Sequence, residues 1–427
     1  DKLDEGVNGR VFITPPKGSN EDPDVVFEVL RPLYGIPSSA RALHLTLSKW
    51  FKSQGFKTAG FEDSIWVREA GGEYEDRLIV SAHIDDTLMA CKSLATLQKF
   101  KTAFLTRFEG TDEGDVSTYL GAELIRDRIN KTITFKQSVY ARKILQIYDA
   151  WDKPAVKTPL EAGVRLTKED SPAFVDPALH RRYRGITGHL SFLVTMTRCD
   201  LAFAYAELSK FVQCPGEVHL KAAERVLQYL RGTYDLGLTY GAPAPGSVNV
   251  LRGWVDSDYA SDPDSRKSVT GYVLSLNGTP VSWKAKRQDC MTLSSAEAEY
   301  VAASMCGQEV VYLRAMLRGF GYEQREPTVV WEDNAACIAI ANNPVNRKFT
   351  RHIDVRRYFV RDLVRDAVLT LVKCAGTLNV ADALTKSLLS PSFLLHCPFL
   401  QGTRQEYKAH YCVLGLHLPQ SPAAAAA

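Results

Sequence analysis

The spacing of apolar and polar positions divides the chain into stretches of different period. Across Ser39–Gln54 (SARALHLTLSKWFKSQ) apolar residues return every three to four positions and Gly55 follows, which predicts a helix with a glycine stop. Leu78–Ala82 (LIVSA) is a short apolar run that reads as a strand and leads into His83, Ile84, Asp85 and Asp86. From about 136 to 240 the period is mostly helical, with Leu201–Val212 and Leu220–Arg231 separated by Cys214, Pro215 and Gly216. GAPAPGSV, from Gly241 to Val248, has no period and marks a domain boundary. Beyond it the order is strand, strand, strand, helix, strand, helix as far as Leu388, the pattern of a mixed sheet with helices packed on it. The last residues, LPQSPAAAAA, are expected to form an unstructured tail.

Composition narrows this only a little. With 427 residues, 45% hydrophobic and 24% charged, the chain can bury cores for roughly two to four domains. A net charge of +3, from 52 basic and 49 acidic residues, argues neither for nor against nucleic acid, because a local basic groove can coexist with an acidic site. Nine cysteines, scattered from Cys91 to Cys412 without a CxxC pair, read as free thiols in a reducing compartment, cytosol or nucleus. There is no run of about 18 apolar residues, and DKLDEGVNGR lacks the basic-then-apolar order of a signal peptide, so no contact with a membrane is expected. The chain begins at Asp1 rather than Met, and a further segment is expected upstream.

The chemistry lies in scattered acids. In GWVDSDYASD, strand alternation puts Asp256 and Asp258 on one face and Val255 and Ser257 on the other, as on a functional strand or a solvent-facing edge. In TLSSAEAEYVAAS, Ser294 and Glu297 have the spacing of a capping box, and Glu299 lies deeper on another side of the helix. Local pattern does not choose between the two glutamates. Asp333 closes the apolar strand of TVVWEDNAACIAI, with Glu332 expected on the other face, and Asp382 sits in the first turn of a helix capped by Asn379. Asp256, one of the two glutamates, Asp333 and Asp382 thus bring one carboxylate from each of four elements, with no basic residue directly beside any of them in sequence. Hard oxygen ligands of this kind suit Mg2+ or Mn2+, and two such ions would clamp the oxygens of a phosphoryl displacement.

These motifs, in this order and spacing from about 253 to 387, resemble the ribonuclease H domain of copia-type LTR retrotransposon polyproteins: GWVDSDYASDPDSRKSVTGYVLSLNGTPVSWKAKRQ, LSSAEAEYVAAS, WEDNAACIAIANNPVNRKFTRHIDVRRYF and NVADALTKSL. The resemblance implies metal-binding acids at Asp256, Glu297, Asp333 and Asp382, the glutamate being matched to the first acid of a TELxA-like helix start. Glu299 remains the weaker candidate. His352, in the HID motif, is expected to be structural or to contact RNA.

Upstream, PLYGIPSSARALH is similar to the family's LYGLKQAPRAWH segment and SAHIDDTLMA to its YVDD motif. The resemblance therefore implies polymerase metal ligands at Asp85 and Asp86, and template and nucleotide contacts at Tyr34, Gly35 and Arg41. Those two aspartates on a strand-turn also fit a plain hairpin. STYLGAEL, WDKPAVKTPL, GITGHLSFLVTMTRCDLAFAYAELSKF and HLKAAERVLQYLRGTYDLGLTY continue the likeness, which spans residues 8 to 390.

The implied architecture is an α+β and α/β multidomain chain. It comprises a partial reverse-transcriptase palm (1–135), a helical thumb and connection (136–240), a linker (241–252), a ribonuclease H-like mixed sheet with flanking helices (253–390) and a variable tail (391–427). The implied substrates are an RNA/DNA hybrid and an RNA template with DNA primer, Arg266 and Lys267 being further candidate contacts. Protease and integrase parts of a polyprotein are the implied partners, in cytoplasm, virus-like particles or nucleus.

Some positions depart from the family pattern. The further polymerase aspartate, in a DVKxAFL segment, would fall before residue 1, so the 427-residue chain is expected not to extend a primer. His83 stands for the usual aromatic, Ser38 for the glutamine of LKQAP, Leu43 for its tryptophan and Cys199 for the proline of TRPD. Two other readings compete: a nucleic-acid-binding remnant without chemistry, using segments such as Lys284 to Arg287, and a DDE-type recombinase, which the upstream motifs disfavour. His396, Cys397, His410 and Cys412 lack the spacing of usual zinc sites.

Overall fold

The structure is a computed structural model that describes residues 12–15, 18, 22, 24–29, 37–241, 249–342 and 359–402. Tyr34, Gly35 and His352 lie outside the described residues, as do most of the expected linker (242–248) and His410 and Cys412. The chain divides into two compact units, residues 1–114 with 315–323, and residues 115–314 with 324–427.

The first unit opens with a short ladder of β1 (Phe12–Ile13) and β2 (Phe27–Glu28). Helix α1 (Pro37–Ser53) ends where expected, at Gly55 with φ 80°. An antiparallel meander follows: β3 (Lys57–Ala59), β4 (Glu62–Arg68), β5 (Leu78–His83) and β6 (Asp86–Cys91). Ser93 then caps α2 (Leu94–Arg107) through its side chain. Two helices against one sheet face need large side chains between them. Trp50 fills that space, with ring centroids 5.4–5.8 Å from Phe51, Phe100, Phe104 and Phe108.

The second unit contains two sheets. Strands β7 (Thr118–Tyr119), β8 (Ala122–Asp127) and β9 (Thr132–Lys136) join β10 (Gly237–Gly241) in the order β10-β9-β8-β7. Between β9 and β10 run α3 (Ser138–Ile147), α4 (Pro177–Met196), α5 (Ala202–Ser209) and α6 (Glu217–Gly232). The five-stranded sheet is built from β11 (Leu251–Asp258), β12 (Val269–Leu276), β13 (Thr279–Arg287), β14 (Thr328–Glu332) and β15 (Leu369–Lys373), ordered β13-β12-β11-β14-β15. Its first three strands are antiparallel, and β11, β14 and β15 run parallel. Parallel neighbours need crossovers, which α7 (Ser295–Gly319) and α8 (Ala335–Asn342) help to supply. The first four strands follow the order expected from the pattern, and β15 is a fifth strand that the pattern did not predict.

Three boundaries differ from expectation. The first unit ends at Gly114 rather than 135, because β9 pairs residue for residue with β10 from Lys136↔Gly237 to Thr132↔Gly241 and so joins the second unit. The helices of 136–240 share a core with the 253–390 sheet, one cluster running from Leu190 and Leu230 to Trp254 and Trp331. Residues 391–402, placed in the variable tail, join the core: α9 (Ser390–Leu400) buries Phe393, His396, Cys397, Phe399 and Leu400. Phe399 lies 4.7 Å from the Trp254 ring, and burying such side chains stabilises by roughly 1.5–3 kcal/mol each.

One charged pair sits inside this core. Arg198 contacts both carboxylate oxygens of Asp200 at 2.9 and 2.7 Å, and Tyr229 donates to Asp200 at 2.7 Å. Between the two charges, Cys199 donates to the Leu400 carbonyl at 3.3 Å, so the cysteine that replaces the family's proline is in contact with α9.

Candidate metal centre

Three elements bring acids together at one end of the five-stranded sheet. Trp254 on β11 pairs in register with Trp331 on β14, and their rings stack at 4.6 Å. Two residues further along the same two strand directions come Asp256 and Asp333. Neighbouring strands lie roughly 4.8 Å apart, so equal offsets deliver the two carboxylates side by side. Glu299, in the second turn of α7, completes the group, with one carboxylate oxygen from each of Asp256, Glu299 and Asp333 within 4.8 Å of the others.

The geometry reverses the expectation for the glutamate. Glu297 accepts from its own upstream Leu293 N–H at 2.8 Å while Ser294 accepts from the Glu297 N–H at 3.2 Å, so it serves as a helix cap. Helical residues two apart point about 200° away from one another, so the side that places Glu297 outward turns Glu299 in. Glu299 is 5% exposed, and its Oε2 is buried with no hydrogen-bond partner.

Asp382 arrives by another route. The turn that carries it is a 3-10 helix, Val380–Leu384, capped by Asn379, whose side chain accepts from Ala381 N–H and donates to the Val255 carbonyl at 2.8 Å. Thr385 donates to Asp256 from the same turn. The turn can lie this close because Gly271 sits opposite Asp256 on β12, where a Cβ would meet Leu384 at 2.9 Å and the Ala381 carbonyl at 3.0 Å. Gly376 leaves similar room for Asp333, whose Oδ2 stands 2.9 Å from where a Cβ would be.

Sequence reasoning missed three side chains. Lys386, four residues beyond Asp382, pairs with it at 3.0 Å, so the acids do have a cation nearby. Glu332 is fully buried beside the cluster rather than on a remote face; it accepts from Asn334 N–H at 2.9 Å and leaves Oε2 unpartnered. Gln288 ties the layers together, donating to Thr270 at 3.0 Å and to the Ala298 carbonyl, next to Glu299, at 2.9 Å. An i, i+4 acid and base was the one available sequence signal, for Lys386.

Crowding of negative charge sets the electrostatics. Burial, then Glu332, Asp256 and Asp333, push the Glu299 carboxyl far above the usual range. Burial, with Asp333 and Asp256, raises Glu332 to about 8, and burial with Asp256 raises Asp382 to about 7 against the pull of Lys386. Asp333 is raised by burial and by Asp256. A carboxyl raised in the folded state contributes stability that is fully present below its unfolded value and is lost as pH rises through the folded one. The metal-free protein should therefore lose stability from about pH 4 through about pH 8 and beyond, Glu299 being raised furthest, and Mn2+ should shrink that loss by neutralising the acids. Urea midpoints across this range, with chelator and with Mn2+, check it; identical curves would count against a shared acidic centre.

The remaining candidates do not converge on a third acid. Asp85 is exposed on the two-residue turn between β5 and β6, where Ile84 holds φ 50°, and Asp86, also exposed, opens β6 and pairs with His83. A β-branched residue in that left-handed region is strained. Among the described residues, they join no group of three potential ligands. Arg41 is exposed on the first turns of α1. Arg266 is exposed in a turn at φ 56°, and Lys267 is engaged with the Asp289 carbonyl at 2.6 Å.

The chain is of the retroelement reverse-transcriptase class, as its likeness to known proteins shows. Residues 2–162 match the reverse transcriptase (RNA-dependent DNA polymerase) family. The chain is 31% identical, over 88% of its length, to the retrovirus-related Pol polyprotein from transposon TNT 1-94 of Nicotiana tabacum. It is 29% identical, over 90% of its length, to that from transposon RE2 of Arabidopsis thaliana. It belongs to this family, the Pol polyproteins of copia-type LTR retrotransposons. The chain spans 28% and 26% of those two polyproteins. A solved structure of LC11-RNase H1, isolated from compost, shares 13% identity and covers 32% of this chain and 94% of its own, with a TM-score of 0.23.

Proposed function

We propose that the five-stranded sheet of this chain hydrolyses the RNA strand of RNA/DNA hybrids with Mg2+ or Mn2+, held by Asp256, Glu299 and Asp333 with Asp382 at the edge. The observation that carries this reading is the meeting of three carboxylates from β11, α7 and the end of β14 within 4.8 Å. The donor set fits a hard divalent cation: all ligands are carboxylates, and Glu299 keeps a buried oxygen without a hydrogen-bond partner. When bound, such ions supply an activated water and stabilise charge on the phosphoryl oxygens.

The chain's own residues do the positioning. Thr385 orients Asp256, Asn379 fixes the Asp382 turn to β11, and Gln288 locks the start of α7 so that Glu299 cannot rotate away. Preference for hybrid over DNA duplex would come from contact with the ribose 2′-OH. The other unit, with Asp85 and Asp86 on its hairpin, is read as part of a polymerase palm, and the helices of 136–240 as thumb and connection. RNA template, DNA primer and other polyprotein parts are the proposed partners.

The test is a labelled RNA/DNA hybrid and a matched DNA duplex incubated with purified chain, with Mg2+, with Mn2+ and with chelator. Cleavage of the RNA strand alone, dependent on metal, is expected. Equal cleavage in chelator, or none of the hybrid under any condition, would refute the assignment.

A further inference from the structure

Lys386 is the feature this reading leaves unused. Its ammonium lies 3.0 Å from an Asp382 oxygen, close enough for an ion pair with hydrogen-bond character. It also acts on Asp258, Glu299 and Asp333, which come from three separate elements. Its side chain is 41% exposed, so it lies at the edge of the acidic group rather than beneath it. A carboxylate group this crowded repels itself, and a cation a few ångströms away is the ordinary remedy.

We propose that Lys386 is a tethered counter-cation that competes with the divalent metal. In the metal-free protein its ammonium compensates Asp382 and its neighbours; when metal binds, the same positive charge opposes it and the pair with Asp382 must loosen. Lys386 is thereby a positioning residue that sets how much metal the centre requires. The inference rests on the metal-binding reading above, and it makes a demand that a packing role would not. Removing the charge should weaken the empty protein and at the same time tighten the metal.

The experiment is a Mn2+ titration of thermal stability, which needs no substrate, on the full chain and on Lys386→Met, Lys386→Arg and Lys284→Met. Methionine keeps the length of the stem without the charge, arginine restores the charge, and Lys284, exposed on β13, controls for net charge. Lys386→Met should melt lower than the wild type in chelator, reach half-saturation at roughly tenfold lower Mn2+, the change expected from about one screened charge pair near a surface, and lose its deficit at saturating metal. Lys386→Arg and Lys284→Met should titrate like the wild type. A wild-type chain whose melting does not respond to Mn2+ would overturn the metal centre and this inference with it. A wild type that responds, with Lys386→Met at an unchanged or higher half-saturation, would overturn the counter-cation role alone. An equal deficit with and without metal would assign Lys386 to packing and overturn it likewise.

Discussion

Glu299→Gln should abolish metal-dependent cleavage of the hybrid, whereas Glu297→Gln should retain most of it. The two side chains differ in environment far more than in sequence. Glu299 is buried, has an unpartnered oxygen and meets Asp256 and Asp333, while Glu297 is spent on the cap of α7. Glutamine keeps the shape of Glu299 but removes the charge that would hold a cation. A loss on the order of hundredfold or more is expected, since even outer partners of metal ligands cost about 10 to 100-fold.

Stability gives an independent sign. Glu299→Gln removes a carboxyl that burial, Glu332 and Asp256 all disfavour in ionised form, so the metal-free protein should become more stable. Glu297→Gln still caps in part and should cost about 1 kcal/mol or less. Activity lost in Glu297→Gln and kept in Glu299→Gln would restore the assignment drawn from the sequence motif.

The largest effect on stability is expected at Arg198. Its guanidinium and the Asp200 carboxylate are 3% and 1% exposed, and Asp200 is held below the usual carboxylate range by Arg198 despite burial. Arg198→Met strands that carboxylate in the core and should cost about 3–5 kcal/mol. Adding Asp200→Asn removes the stranded charge, keeps a partner for Tyr229 and should recover much of the loss. Urea unfolding of the two variants decides it. A single variant within about 1 kcal/mol of the wild type would mean that the pair contributes specificity at most.

Much of the fold was legible because it depends on neighbours in sequence. Helix α1 with its glycine stop, strand β5 ending at the acidic turn, and the order of β11 to β14 with α7 all follow from local period and chain breakers, whereas β15 was not read. Asp256 and Asp333 were legible for the same reason, as acids at the ends of apolar strands. Helix α9 was not legible because its apolar residues have no amphipathic period: it is covered on several sides, by Trp254 and Tyr229 among others.

What the sequence by itself determined is therefore the set of elements and the acids each one carries. Tertiary structure alone decided which acids meet. Glu297 and Glu299 are equally plausible along one helix, and only the orientation of α7 against the sheet, pinned by Gln288, turns one toward Asp256 and the other toward the cap. Glu332 became part of the site, and Lys386 its counter-charge, through contacts between β14, α7 and the Asp382 turn. The physical reason is range: hydrogen bonding and period act over a few residues and are written in local sequence. The repulsion at this centre acts between carboxylates from residues 256, 299, 333 and 382, and it exists only once folding has brought them together.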